Sequence, residues 1–270
     1  QAVRSNLNGV IKTLEDTASD YGVSSEYRFV CFQEVDFEST RSYGVSERNI
    51  LRNAFSSYWS TYAQNYNSPY LLYPFNSPHG ANKSGMLTLS KYIIDGANRV
   101  ELPVESGFAK YADLDRCLSV NRIPVSGGKT FVLINLHLTA YSSDGKIAKD
   151  QLKMLLDICK TETEAGNYVI CAGDFNQDLY GNASEVFGVD GKDYTWAKPF
   201  DKTMLDGTDM SLVIPGESAE EKIPSCRNAD APYEKGKQFV LTVDGFLVSS
   251  NITVDMSSVL DEGFKYSDHN

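Results

Sequence analysis

The chain has 270 residues, of which 41% are hydrophobic, 11% aromatic and 23% charged, and 25 Lys and Arg against 36 Asp and Glu leave a formal charge of -11. This composition excludes collagen-like and disordered classes, and no run approaches the ~18 consecutive apolar residues that span a membrane. The acidic balance argues against a broad basic face for nucleic acid and leaves room for a small basic cleft.

Short apolar runs alternate with helical patterns along the chain. Val3, Leu7, Val10, Ile11 and Leu14 recur at helical spacing, which predicts a helix over residues 2–17. Residues 27–33 read as a buried strand. Residues 46–64 read as the next helix, with Ser46 as N-cap ahead of Ile50, Leu51 and Phe55. Strands are predicted at 70–73, 85–90, 117–120 and 130–135. Ile147, Leu152, Leu155, Leu156 and Cys159 form the apolar stripe of a helix over 146–164, which Gly166 closes. Strands follow at 168–171 and 239–248. Between them, residues 178–238 are polar, rich in Gly, Pro, Asp and Lys, and read as a long irregular insertion. The whole reads as one α/β domain over 1–270, with two layers of sheet and helices outside. Five cysteines without a CxxC pair exclude zinc-finger and thioredoxin readings, and Cys31 and Cys171 read as small buried hydrophobes.

The carboxylates carry the chemistry. Glu34, Asp174 and Asp244 each follow an apolar strand, Asp268 precedes His269 and Asn270, and His137 follows the strand of the 130s. Carboxylate oxygens select Mg²⁺, Ca²⁺ or Mn²⁺ rather than zinc, whose sites favour Cys and His. Only three histidines occur, at 79, 137 and 269, and there is no HExxH. His79 lies in a stretch with turn composition, and the tyrosines between 58 and 73 read as packing rather than base stacking.

Set in order, Phe32-Gln-Glu34-Val-Asp36, Ser84-Gly-Met-Leu-Thr-Leu-Ser90, Asn135-Leu-His137-Leu, Gly173-Asp174-Phe-Asn176, Val243-Asp244-Gly-Phe and Ser267-Asp268-His269-Asn270 resemble the endonuclease/exonuclease/phosphatase superfamily, with its deoxyribonuclease I-like fold. The resemblance implies a four-layered α-β-β-α sandwich, two packed mixed sheets with helices outside. It also implies divalent-metal-dependent cleavage of a phosphate ester. By this resemblance Glu34 and Asp268 are metal ligands, and Asp174 orients or deprotonates the attacking water. Asn176 holds a phosphate oxygen, and alternation about Phe175 points its side chain the same way as that of Asp174. His269 contacts the scissile phosphate as acid or base, Asp244 fixes its tautomer, and His137 bonds the phosphate or the leaving group. Arg116, Lys83 and Arg41 are weaker candidates for substrate contact.

The expected function is hydrolysis of a phosphodiester by in-line attack of water, as a nuclease or a lipid or small-molecule phosphodiesterase, with Mg²⁺ (or Mn²⁺ or Ca²⁺) as cofactor. The alternatives are an inositol polyphosphate-type phosphomonoesterase and a catalytically inactive binding relative. Nucleic acid is allowed as a partner but not implied by the net charge, and a monomer is expected. Relatives begin with a strand carrying an Asn beside the metal and continue past the SDHN motif. The first and last strands are therefore expected to be missing here, and an upstream membrane anchor and an extracytoplasmic bacterial setting are expected by the same comparison.

Overall fold

The computed structural model describes residues 2–20, 26–71, 80–104, 115–140, 145–191 and 196–270. The chain runs through α1 (Ala2–Asp20), β1 (Phe29–Asp36), α2 (Glu47–Ala54), β2 (Trp59–Leu71), β3 (Gly80–Ser90), β4 (Gly96–Glu101), β5 (Cys117–Pro124) and β6 (Thr130–His137). It continues through α3 (Lys146–Glu164), β7 (Tyr168–Asp174), α4 (Ala183–Phe187), β8 (Met210–Val213), β9 (Cys226–Arg227), β10 (Val240–Leu241) and β11 (Asp244–Ser249). His79 lies outside the described residues, as do positions 72 and 73 of the predicted 70–73 strand.

Alternation on β6 sets the layers. Val132, Ile134 and Leu136 join Leu152, Leu155 and Leu156 of α3 in the largest core cluster. Asn135 faces the other way and reaches the second sheet, and residue parity places His137 with it. The larger sheet has the order β4-β5-β6-β7-β11-β8, and only the β6–β7 pair is parallel. Helix α3 supplies the crossover that this parallel connection requires. The smaller sheet has the order β1-β3-β2, paired antiparallel, and Leu7, Ile11, Leu51 and Phe55 of α1 and α2 cover it with Leu87 and Leu89. Four layers result, helix, sheet, sheet and helix.

The seam between the sheets is polar. Asn135 Nδ2 donates to Leu87 O (3.3 Å), Phe32 O (3.3 Å) and Thr88 Oγ1 (3.1 Å), and Gln33 Nε2 donates to Asn135 Oδ1 (2.8 Å). Asn121 Nδ2 reaches Thr88 Oγ1 at 3.4 Å from the neighbouring strand. Buried amides are affordable only when paired, and these are.

Several sequence expectations are corrected. The helix over 46–64 stops at Ala54, and residues 59–71 are β2. A spacing of four keeps two residues on one face in both a helix and a strand, so Tyr58 and Tyr62 fit either period. Both pack on the α2 cluster. Ser46 does cap α2, its Oγ accepting from Asn49 N. The strand read at 239–248 is two: β10 pairs with β9, and β11 joins the larger sheet. Between them Thr242 O and Val243 O accept from Leu179 N and Phe175 N, both at 2.9 Å, so that backbone serves the loop after β7. The irregular 178–238 stretch contains α4, β8 and β9, and four-residue β8 is too short to show a period. Strand β1 is half-buried rather than buried, and Cys31 on it is half-buried as well. The helix over 146–164 ends as predicted, with Gly166 N on Thr163 O and Asn167 N on Glu162 O.

Candidate active site

Three strand ends in register build the site. His137 pairs with Asp174, and Asp174 pairs with Asp244, so β6, β7 and β11 set these residues in one row. A one-residue slip would turn the row to the opposite face. Gly173 makes the close approach possible: its φ is +143°, and a Cβ there would lie 2.1 Å from Leu136 O. His137 Nε2 lies 3.5 Å from Asp174 Oδ2 and 3.9 Å from Glu34 Oε1. Glu34 comes from the other sheet, where β1 shifts register between Phe32 and Val35 and Glu34 takes a left-handed φ of 51°. Its side chain is 58% exposed, against 3% for His137 and 8% for Asp174.

His269 is brought in by a β-bridge to Cys226, and Asn270 N bonds Ser225 O at 2.8 Å. The imidazole Nδ1 donates to Asp244 Oδ2 at 2.7 Å. That same oxygen accepts from Ser225 Oγ at 2.7 Å, and Ser225 Oγ accepts from Val243 N and Asp244 N. Ser225 therefore holds the carboxylate that holds the imidazole.

Electrostatics sort the groups into different protonation states. Burial, then the neighbouring Asp244 charge, lift Asp174 to about 7, with His269, the Asn176 N–H and Arg116 opposing. Burial works against protonation of His269, but Asp244 and Cys226 outweigh it and hold that imidazole well above its usual range. Burial, with the charges of Arg116, His269 and Arg41, holds His137 well below it, so His137 stays neutral. One row thus carries a neutral imidazole, a carboxyl near neutrality and a cationic imidazole.

The donor set fits a hard divalent cation. Ligand atoms of Asp174, Asp244 and His269 lie within 4.8 Å of one another, and the crowding that lifts Asp174 is what a cation relieves. Asp244 Oδ2 is already committed to Ser225 and His269, which leaves Asp174 as the better placed carboxylate of that group; Glu34, 3.9 Å from His137, stands outside it among the described residues. Burial raises the Cys226 thiol, and the neighbouring His269 opposes that shift.

The remaining predicted residues divide. Asn176 sits at φ 52°, not in an extended segment, so alternation about Phe175 does not operate. Its backbone N bonds Asp174 Oδ1 at 2.7 Å, and its Nδ2 donates to Leu138 O at 2.8 Å. Arg116 is buried, and its charge acts on both His137 and Asp174. Arg41 clasps Asp36 with two bonds of 2.7 Å and lies 3.5 Å from Glu34. Asp268 is exposed and bonds Ser267 Oγ, and among the described residues it does not join the Asp174 group. Lys83 pairs with Glu38 at 3.3 Å and lies over the Phe37 ring, apart from the row. Sequence reasoning missed Ser225 and Asn65, since a lone Ser in a polar loop and an Asn just past the supposed 46–64 helix carry no chemical signal.

No family model and no curated protein matches the chain. Solved structures do. An endonuclease/exonuclease/phosphatase from Beutenbergia cavernae is 15% identical, with a TM-score of 0.62 over 100% of this chain and 64% of that one. The chain thus spans under two thirds of that protein's length. An endonuclease/exonuclease/phosphatase family protein from Leptotrichia buccalis is 13% identical, with a TM-score of 0.59 over 98% and 90% of the two chains. ANGEL2, a 2′,3′-cyclic phosphatase, is 15% identical, with a TM-score of 0.57 over 96% and 82%. With its two packed sheets, outer helices and strand-end row of acids and histidines, the chain has the endonuclease/exonuclease/phosphatase fold.

Proposed function

We propose that this protein hydrolyses a phosphodiester by in-line attack of water. The observation that carries the reading is the His269–Asp244 pair at 2.7 Å beside Asp174, a cationic imidazole next to a carboxyl that titrates near neutrality. Asp174 orients the water and takes its proton, a role suited to a group poised near the working pH. His269, kept protonated by Asp244, faces the charge that develops on the phosphoryl oxygens. His137 stays neutral and hydrogen-bonds the phosphate or leaving oxygen. Asn176, tethered to Leu138 O, keeps one amide hydrogen for a phosphate oxygen. Glu34 and Asp174 would hold a divalent cation, Mg²⁺ with Mn²⁺ or Ca²⁺ as alternatives. Such a cation, when bound, supplies Lewis-acid stabilisation of phosphoryl charge. The solved neighbours support phosphate-ester chemistry through the fold and through ANGEL2's description as a 2′,3′-cyclic phosphatase.

The test is a panel of bis(p-nitrophenyl) phosphate, p-nitrophenyl phosphate, plasmid and a nucleoside 2′,3′-cyclic phosphate, each with Mg²⁺ and with EDTA. Hydrolysis of a diester that needs the metal and is lost in Asp174→Asn supports the reading. Inertness toward all four, or turnover untouched by Asp174→Asn, rejects it.

A further inference from the structure

Strands β1 and β2 flank β3 on opposite sides, and both lose register with it at the same level. Phe32 pairs with Leu87 and Val35 with Gly85, so β1 carries one residue more than β3 there. Gln64 pairs with Gly85 and Tyr66 with Ser84, which leaves Asn65 as the extra residue of β2. Bulges of this kind re-aim a side chain and gather beside active sites. One bulge delivers Glu34 and the other delivers Asn65. Gly85 sits between them, and a Cβ there would lie 2.5 Å from Ala63 O.

Asn65 is 2% exposed, and its Nδ2 has no hydrogen-bond partner among the described residues. With Glu34, Arg41, Tyr66, Ser84 and His137 it lines a small pocket of about 20 Å³, room for one hydroxyl or water. His137 also keeps a buried Nδ1 without a partner among the described residues. A buried amide left unsatisfied calls for an acceptor that arrives from outside. The charge of the pocket says which kind. Arg41 is matched by Asp36 in two short bonds and faces Glu34 as well, and Glu47 accepts from Asp36 N at 3.0 Å. Arg41, the lining cation, is thus already engaged by acids, and the pocket offers a second phosphate no cation of its own. A hydroxyl, which accepts one hydrogen bond and donates another, needs none.

We propose that Asn65 is a substrate-binding residue that donates to a hydroxyl oxygen on the group esterified to the scissile phosphate. The preferred substrate is then a diester with a sugar or polyol arm that bears no further phosphate. This rests on the phosphodiester reading above. The sugar of a nucleotide and the glycerol of a lipid headgroup share this chemistry.

The test uses p-nitrophenyl esters with one leaving group and different second arms: ethyl phosphate, glyceryl phosphate, thymidine 5′-phosphate and phosphoglyceryl phosphate. The wild type is expected to favour the glyceryl or thymidine ester over the ethyl ester by at least about tenfold in kcat/KM, about 1.4 kcal/mol. The better of the two identifies the source of the arm. Asn65→Ala and the isosteric Asn65→Asp, which replaces the donor by an acceptor, should each bring that ratio below about threefold, with melting temperature read alongside. No preference in the wild type, a preference retained in Asn65→Asp, or faster turnover of the phosphoglyceryl ester overturns the proposal. If the wild type turns over none of the esters, the phosphodiester reading fails by itself. Calorimetric titration with glyceryl methyl phosphate against dimethyl phosphate then decides the present one: equal affinities overturn it, and a preference abolished by Asn65→Ala supports it.

Discussion

His269 and Asp174 lie side by side, and Asp244 favours the protonated form of both, since its charge attracts the imidazole's proton and repels a charge on Asp174. Replacing His269 with Ala should lower kcat by about 10²–10⁴-fold, the range for loss of a positioned acid or base. Asp244→Asn keeps the ring but frees its orientation, and kcat should fall by about 10–100-fold on the precedent of outer-shell partners. Steady-state kinetics on a small aryl diester checks both, and a wild-type rate in Asp244→Asn removes the orienting role. Asp174 makes a further prediction about stability. Its folded pKa of about 7 lies above the ordinary 3.8, so the folded state binds this proton more tightly than the unfolded chain does. That contribution is full below about pH 4 and is lost as pH rises through 7. In EDTA at pH 8, Asp174→Asn should therefore melt above the wild type, by about 2–4 °C for each kcal/mol recovered. At pH 4 the two should melt together. A gain at pH 4 as large as that at pH 8 would assign it to something other than charge.

Among the elements, the strand ends do most to position the chemistry, and Gly173 is where a side chain is least tolerated. Gly173→Ala puts a Cβ 2.1 Å from a backbone oxygen that cannot rotate away. Urea unfolding should show a loss of at least about 2 kcal/mol, in the range of strained backbone combined with overpacking. A loss under about 0.5 kcal/mol would mean that β6 and β7 can separate freely at this point. The same elements show what was legible in the sequence. Strand β6 and helix α3 could be read because each is amphipathic over its full length, with one face in the core. Strand β4 escaped because it is an edge strand of Gly, Ala, Asn and Arg, mostly exposed, with no apolar period. Glu34, His137, Asp174, Asp244 and His269 were nameable because carboxylates and histidines at strand ends are chemically conspicuous. Ser225 and Asn65 act through placement alone, one through a hydroxyl bound to a carboxylate and one through a bulge, and placement is a tertiary property.

For the whole molecule, the site draws on residues from Glu34 to His269, so its parts meet only when both sheets have packed. Mg²⁺ binding to the assembled carboxylates should raise the melting temperature, and EDTA should reverse the rise, since a ligand selective for the folded state stabilises it by mass action. A melting temperature indifferent to millimolar Mg²⁺ would count against a cation at Glu34. With a formal charge of -11, weak binding to duplex DNA is expected at physiological salt, and retention on a DNA column above ~200 mM salt would contradict that.

The polar seam has a mechanical consequence. An oily interface between two sheets can creep, because apolar contacts have no direction and one packing grades into the next. Asn135 instead pins Phe32, Leu87 and Thr88 from one side and takes Gln33 on its oxygen. Sliding by even one strand residue, about 3.3 Å, would break these bonds together rather than stretch them in turn. Glu34 and His137 therefore stand at a fixed gauge across the seam, and damage there should divide the molecules into working and non-working fractions instead of slowing them all. In Asn135→Leu, active-site titration should find fewer competent molecules, each with a near-normal single-turnover rate; a full complement of uniformly slow ones would show that the sheets slip by degrees.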